Sequence, residues 1–288
     1  VIVQHQFYDD QIAKAQRDGD TGEVIAKLFN VYSSGKVTKW ITGDRIRPLQ
    51  VDKRITDCRY QDGWQVFVGL DFAQGDDLFA VTYMAVNYTP SNTMRGRFFV
   101  DTDLWVLEET MKHSPNRPLY EQWEKEGWLH VCPGEVFDSM YAINRIAEVA
   151  EQGVNIVSFC YDPAQSVQPI NQLKAWLQTL FQKRGDISPK DLADMIQRMV
   201  IPVSQTAMTQ NPRIGELEHM ILEKEPWMTF SMNPMWPWVF GNCVLSEETR
   251  MENKKPIKRN PGSDSCKVDP VQTLCTGLIL FDKYEWSL

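Results

Sequence analysis

The run VNIVSFCYDP, Val154 to Pro163, constrains the fold of this chain more than any other stretch. It is apolar almost without interruption and is cut off by Asp162 and Pro163, the pattern of a strand buried on both faces. Just before it, DSMYAINRIAEVAEQG has helical spacing. Asp138 or Ser139 stands at its N-cap, Ile143, Ile146, Ala147 and Ala150 share one face, and Gly153 supplies the stop. A further strand, WLHVCPG, precedes that helix. Strand, helix and strand in this order form a βαβ unit whose second strand runs parallel to the first. The chain must therefore build a sheet that is at least partly parallel.

Upstream, WQVFVGLDF, LFAVTYMAVNY and RGRFFVDTDLWVL are separated by AQGDD and TPSNTM, spacings that predict an antiparallel three-strand meander. Downstream, QPINQLKAWLQTLFQK and PKDLADMIQRM predict two helices, the second with Ser188 as N-cap and Pro189 at its first position. The strand MVIPVSQ, the helix RIGELEHMILEK, a tryptophan-rich patch and a terminal helix in VDPVQTLCTGLILFDKYEW complete the order. The sum is an α/β chain with a mixed sheet. Residues 1–60 read differently: DDQIAKAQRDGD and TGEVIAKLFN are short helical patterns, and VYSSGKVTKW and RIRPLQVDKRITD are polar and rich in turn signals. They are expected to be a linker or docking arm, leaving 61–288 as the main domain.

A hydrophobic fraction of 43% with 24% charged residues is that of a globular chain, and a formal charge of -8 argues against non-specific coating of nucleic acid. The six cysteines have neither zinc nor disulfide spacing, which predicts reduced, buried thiols. No apolar run is long enough to span a bilayer and no signal peptide is evident, so a cytosolic chain is expected. The first residue is Val1, which suggests a piece of something longer. SSGKVT resembles the tail of a phosphate-binding loop but lacks its first glycine and has Val37 after Lys36. His5, His113, His130 and His219 are scattered and read as structural or surface residues.

The chemistry lies in carboxylates. In VFVGLD the alternation puts Gly69 and Asp71 on one face, so empty volume adjoins a charge that is costly to bury. That suits a ligand or metal, while an Asp at a strand end also caps the turn after it; this stretch leaves both readings open. Asp162 ends a parallel strand, where ligands of open α/β sheets gather, and has the same turn-capping alternative. Asp269 opens the last helix ahead of Pro270, a position that suits a plain N-cap.

Taken together, VGLDFAQGDDLFA, CYDPAQ and KVDPVQTLCTGL resemble, in that order, the three nuclease motifs of tailed-bacteriophage terminase large subunits, the DNA-packaging motor proteins. IPVSQ, IGELEHMIL, MNP and GNCVL fall where connecting segments are expected, and the resemblance covers roughly residues 66–282. It implies a ribonuclease H-like fold with helices on both faces of the sheet. It also implies a metal-dependent endonuclease that cuts double-stranded, concatemeric DNA and leaves 5′ phosphate and 3′ hydroxyl ends. Asp71, Asp162 and Asp269 are implied as ligands of two Mg²⁺ or Mn²⁺ ions, with Asp71 bridging and Asp77 accessory; Asp76 reads as a solvated turn residue. Two hard cations ~3.5–4 Å apart need such oxygen ligands.

Lys267 is placed to contact the scissile phosphate or to neutralise the carboxylates, or else is a solvated helix-start lysine. Lys254, Lys255, Lys258 and Arg259, in ENKKPIKRNPG, are candidate contacts to the DNA backbone, or a solvated loop. Asn242 matches a family position, with a buried Asn bonded to backbone as the alternative. Ala73, Gln74 and Phe79 depart from the family's usual hydroxyl residues. The implied partners are DNA, an ATPase domain upstream in the same chain, the portal protein and the small terminase subunit, in the host cytoplasm and away from membranes. The rival readings are a docking module of the motor with a remnant nuclease fold, using WMTFSMNPMWPWVF as a partner patch, and an actin-like phosphotransferase, which would need glycine-rich phosphate loops that are absent.

Overall fold

The computed structural model describes residues 36–72, 77–91, 93–164, 167–183, 185, 187–247, 253–260 and 264–285. In chain order its elements begin with β1 (Lys36–Lys39), α1 (Gly43–Ile46), β2 (Gln50–Val51), β3 (Trp64–Asp71), β4 (Phe79–Asn87) and β5 (Phe98–Leu107). There follow α2 (Glu108–His113), α3 (Arg117–Lys125), β6 (His130–Cys132), α4 (Met140–Glu151), β7 (Ile156–Tyr161), α5 (Val167–Gln182) and α6 (Pro189–Met199). The chain continues with β8 (Val200–Pro202), α7 (Ala207–Leu222), β9 (Met228–Ser231), α8 (Met235–Gly241), β10 (Cys243–Glu247), β11 (Lys254–Lys258) and α9 (Asp269–Glu285).

The main sheet has the order β2-β9-β5-β4-β3-β7-β8, with β6 paired to β5. The meander is antiparallel, β4 between β3 and β5, and β7 is parallel to β3 and β8 to β7. β6 is parallel to β5 rather than adjacent to β7, so the βαβ crossover carries α4 across the meander. The buried helix face is Ala142, Ile143, Ile146 and Val149, with the expected Ala147 and Ala150 half-buried beside it.

Alternation assigns the two faces of the sheet. Val66, Val68 and Leu70 of β3 join Val81, Tyr83 and Ala85 of β4 under α4, α5 and α6, through Ile146, Leu173, Leu177, Leu192 and Ile196. Phe67, Met84 and Val100 face the other way, onto α7, α8 and α9. Helix α9 is apolar nearly all round, with Val271, Leu274, Cys275, Leu278 and Leu280 each at most 1% exposed, which is the pattern of a helix enclosed on most sides. Its buried threonines are satisfied: the Thr273 hydroxyl is 2.7 Å from that of Thr82, and Thr276 donates to the Thr273 carbonyl.

WMTFSMNPMWPWVF is core, as so dense a run of aromatics favours, and not the partner patch of the rival reading: Met228, Phe230, Met235, Trp236 and Phe240 are fully buried and fill the space between β9, α1 and α9. Two expectations change. The lysine run is not a loop but β11, paired antiparallel to β10, with Pro256 tolerated where edge strands tolerate proline. RIGELEHMILEK is the second half of a helix that starts at Ala207 on a Thr206 cap and runs through Pro212, which reads as a breaker in sequence. Within residues 36–60, β1 pairs with β10 and β2 with β9, and Ile46, Ile55 and Cys58 are fully buried. Packing therefore continues without a break across residue 60; the two short helical patterns upstream lie outside the described residues. No helix among the described residues is long and apolar enough to cross a membrane.

Candidate active site

Three elements bring the sequence-selected aspartates to one edge of the sheet. Asp71 is the last residue of β3, and Asp162 directly follows β7; because Leu70 lies opposite Tyr161, the two carboxylates stand side by side on adjacent parallel strands. Asp269 is the first residue of α9, the helix packed across β3, β4 and β7 on that face. What permits the close approach is Gly69. A Cβ there would sit 2.3 Å from the Thr273 carbonyl oxygen, so the missing side chain seats the backbone of α9. The expectation that Gly69 clears space for a metal is thus corrected: the helix occupies that space, and carries Asp269 in with it.

The electrostatics are those of a site short of positive charge. Burial, helped by the charges of Asp162 and Asp77, pushes the Asp71 carboxyl up to about 6, against a hydrogen bond from Gln205. Burial, with Asp71 and Asp77 adding to it, pushes Asp269 up to about 8. Both are raised chiefly because burial penalises the charged form, and neighbouring carboxylates add to this where water screens them little. Asp269 is 5% exposed, and its Oδ2 is buried with no hydrogen-bond partner among the described residues. Asp162 keeps part of its turn-capping role, Oδ1 accepting from the Ala164 N–H at 3.1 Å.

The counter-charge comes from two lysines on one oxygen. Asp77 Oδ1 accepts from Lys258 Nζ at 2.5 Å and Lys267 Nζ at 2.9 Å. Burial raises the Asp77 carboxyl, and the two ammonium groups more than offset this, leaving it below its ordinary value. Lys267 is 1% exposed, which removes the reading of a solvated helix-start lysine. Of the basic run, only Lys258 reaches this cluster through a described ion pair; Lys254 and Lys255 sit partly exposed along β11, and Arg259 is exposed just beyond it. Asn242 caps the end of α8; its carbonyl accepts from the Arg259 N–H at 2.7 Å, while its buried Nδ2 has no partner among the described residues. Asp76, Ala73 and Gln74 lie outside the described residues. Phe79 stacks on Phe137 at 3.6 Å between ring centroids, in the core on the α4, α5 and α6 side of the sheet.

Two features escaped the sequence reading. Gln205, in the segment between β8 and α7, donates from Nε2 to Asp71 Oδ2 at 3.4 Å; nothing in IPVSQ marks it. On the opposite face, Asp101 and Asp103 of β5 are buried with Arg54 and Arg145: Arg54 Nε is 3.1 Å from Asp101 and Arg145 Nε 3.0 Å from Asp103. Two acids two apart in an otherwise apolar strand, VDTDLWV, were the available signal. They are paired, hydrogen-bonded and remote from the first cluster, which marks them as structural.

Among the described residues no three ligating side chains close into a ready cage. The donor set nonetheless fits a hard divalent cation: acidic oxygens come from a strand end and a helix start, one of them buried and unpartnered among the described residues, and burial with neighbouring carboxylates makes their charge costly, a cost that a cation would relieve.

A family model for the terminase large subunit, endonuclease domain, matches residues 4–285. In structure the chain is similar to the large terminase of bacteriophage HK97, with a TM-score of 0.62 at 17% sequence identity over 94% of this chain and 49% of that one. The chain thus spans about half the length of that protein, and at such identity the likeness speaks for the fold, a ribonuclease H-like mixed sheet with helices on both faces. Comparison with curated protein sequences gives no match. With a family match over nearly its whole length, the chain belongs to the terminase large subunit endonuclease domain family.

Proposed function

We propose that this chain is the metal-dependent endonuclease of a viral DNA-packaging motor, cutting double-stranded concatemeric DNA by phosphodiester hydrolysis. The observation that supports the reading is the pair Asp71 and Asp269: two carboxylates pushed up chiefly by burial, with one oxygen of Asp269 buried and unpartnered among the described residues. Asp71, Asp162 and Asp269 would hold two Mg²⁺ or Mn²⁺ ions. When bound, such ions would activate the attacking water and support the leaving 3′ oxygen.

The chain's own residues have distinct tasks in this reading. Gln205 orients Asp71 through its hydrogen bond. Lys267, buried beside Asp77, keeps positive charge next to the carboxylates. Water displaces the 3′ oxygen at phosphorus in line, which breaks the P–O3′ bond and leaves a 5′ phosphate and a 3′ hydroxyl. Lys254, Lys255 and Arg259 follow the DNA backbone, a contact without sequence information that suits cutting at many sites. An ATPase domain upstream in the chain, the portal protein and the small terminase subunit would supply DNA and timing, in the host cytoplasm.

Plasmid nicking tests this. Wild type should convert supercoiled DNA to open circles with Mn²⁺ or Mg²⁺ and not with EDTA, and Asp71→Asn and Asp269→Asn should lose on the order of 10²-fold or more of that rate. Equal cutting by wild type and both variants would end the proposal.

A further inference from the structure

The ion pairs on Asp77 carry one more cation than Asp77 needs. Both ammonium groups bind the same oxygen, Oδ1, yet their settings differ. The Lys267 side chain is 2% exposed and lies two residues before Asp269, so it is part of the wall. The Lys258 side chain is 26% exposed and comes from the last residue of β11, in the small sheet β1-β10-β11 rather than in the sheet that carries the aspartates. Its charge also acts on Asp71 and Asp269, lowering both against the general rise. The four carboxylates Asp71, Asp77, Asp162 and Asp269 thus face two lysines, of which one is fixed and one is solvent-accessible.

We propose that Lys258 is the built-in counter-cation of the site: it stabilises the carboxylate cluster in the metal-free protein and competes with a divalent ion for the same negative charge. This rests on the reading of Asp71, Asp162 and Asp269 as metal-holding residues, and it adds a control on them that those residues do not contain. A like charge beside a cation site weakens binding through an interaction that falls with distance and screening.

Calorimetric titration with Mn²⁺ alone, without DNA, and thermal unfolding in EDTA test it on wild type, Lys258→Met, Lys258→Arg and Asp71→Asn. Lys258→Met should bind Mn²⁺ more tightly, on the order of tenfold, while its metal-free melting temperature falls and its Mn²⁺-induced rise in melting temperature grows. Lys258→Arg, which keeps the charge, should stay within about twofold of wild type in Mn²⁺ affinity. If Lys258→Met melts lower but binds Mn²⁺ no more tightly, Lys258 is only a tie between the two sheets and the inference fails alone. If wild type shows no Asp71-dependent Mn²⁺ binding, the metal reading falls and the inference falls with it.

Discussion

Replacing Gly69 by alanine places a methyl carbon 2.3 Å from the Thr273 carbonyl oxygen and 3.1 Å from the Thr273 Cβ. The first contact is roughly 1 Å short of van der Waals separation. Its partner is backbone of α9, held by Val271, Leu274 and Leu278 in the core, so no side-chain rotation relieves it. Either β3 or the helix must move. Overpacking of this kind costs about 1–3 kcal/mol, which for a chain of this size lowers the melting temperature by roughly 2–12 °C. The functional loss should be larger in proportion, because Thr273 is one turn from Asp269 on the same helix. A shift of about 1 Å between Asp71 and Asp269 should cost on the order of 10²-fold in nicking rate. Gly277→Ala is the control: its Cβ would have Met84 Cβ at 4.0 Å, an ordinary contact, so it should be neutral or stabilise by up to about 1 kcal/mol through helix propensity. Differential scanning fluorimetry and plasmid nicking read both variants. Gly69→Ala with wild-type melting temperature and wild-type nicking would refute the seating of α9 on Gly69.

Asp71 and Asp269 have folded-state values of about 6 and about 8, above the ordinary carboxylate value, so these two groups hold more protons in the folded protein than in the unfolded chain between about pH 4 and 8. Metal-free stability should therefore fall as pH rises through that window and level off above it, with Asp269→Asn flattening the fall; melting temperature against pH in EDTA would contradict this if wild type and variant ran parallel. Arg54→Met leaves Asp101 buried without its guanidinium partner, retaining the Ile55 N–H at 2.9 Å. Because the Arg54 side chain is 38% exposed and solvent screens part of the loss, a destabilisation of about 1–3 kcal/mol is expected by urea unfolding, and an unchanged midpoint would show the pair to be dispensable.

Much of the fold was legible because its signals are local. VNIVSFCYDP ends where an apolar run meets Asp and Pro, and it is β7; the three runs between Trp64 and Leu107 are the meander. Ser188 caps α6 as its position before Pro189 predicts, its hydroxyl accepting from the Asp191 N–H. Legibility failed where one residue's setting depends on another element. ENKKPIKRNPG has the composition of a loop and is a strand because β10 pairs with it. Asp101 and Asp103 escape notice in VDTDLWV, because what they meet, Arg54 and Arg145, comes from elsewhere in the chain.

The sequence by itself determined the inventory: which strands and helices form, in what order, and that aspartates stand at two strand ends and one helix start. Periodicity, caps and breakers act over a few residues, so they survive in one dimension. Only the tertiary structure decided what those residues meet. It put Asp71 beside Asp162 through the register of β3 on β7, drew Asp269 in through the bare backbone of Gly69, buried Lys267, and brought Lys258 from a second sheet onto Asp77. Charge interactions depend on distance and burial, and neither is written in the spacing of residues along the chain.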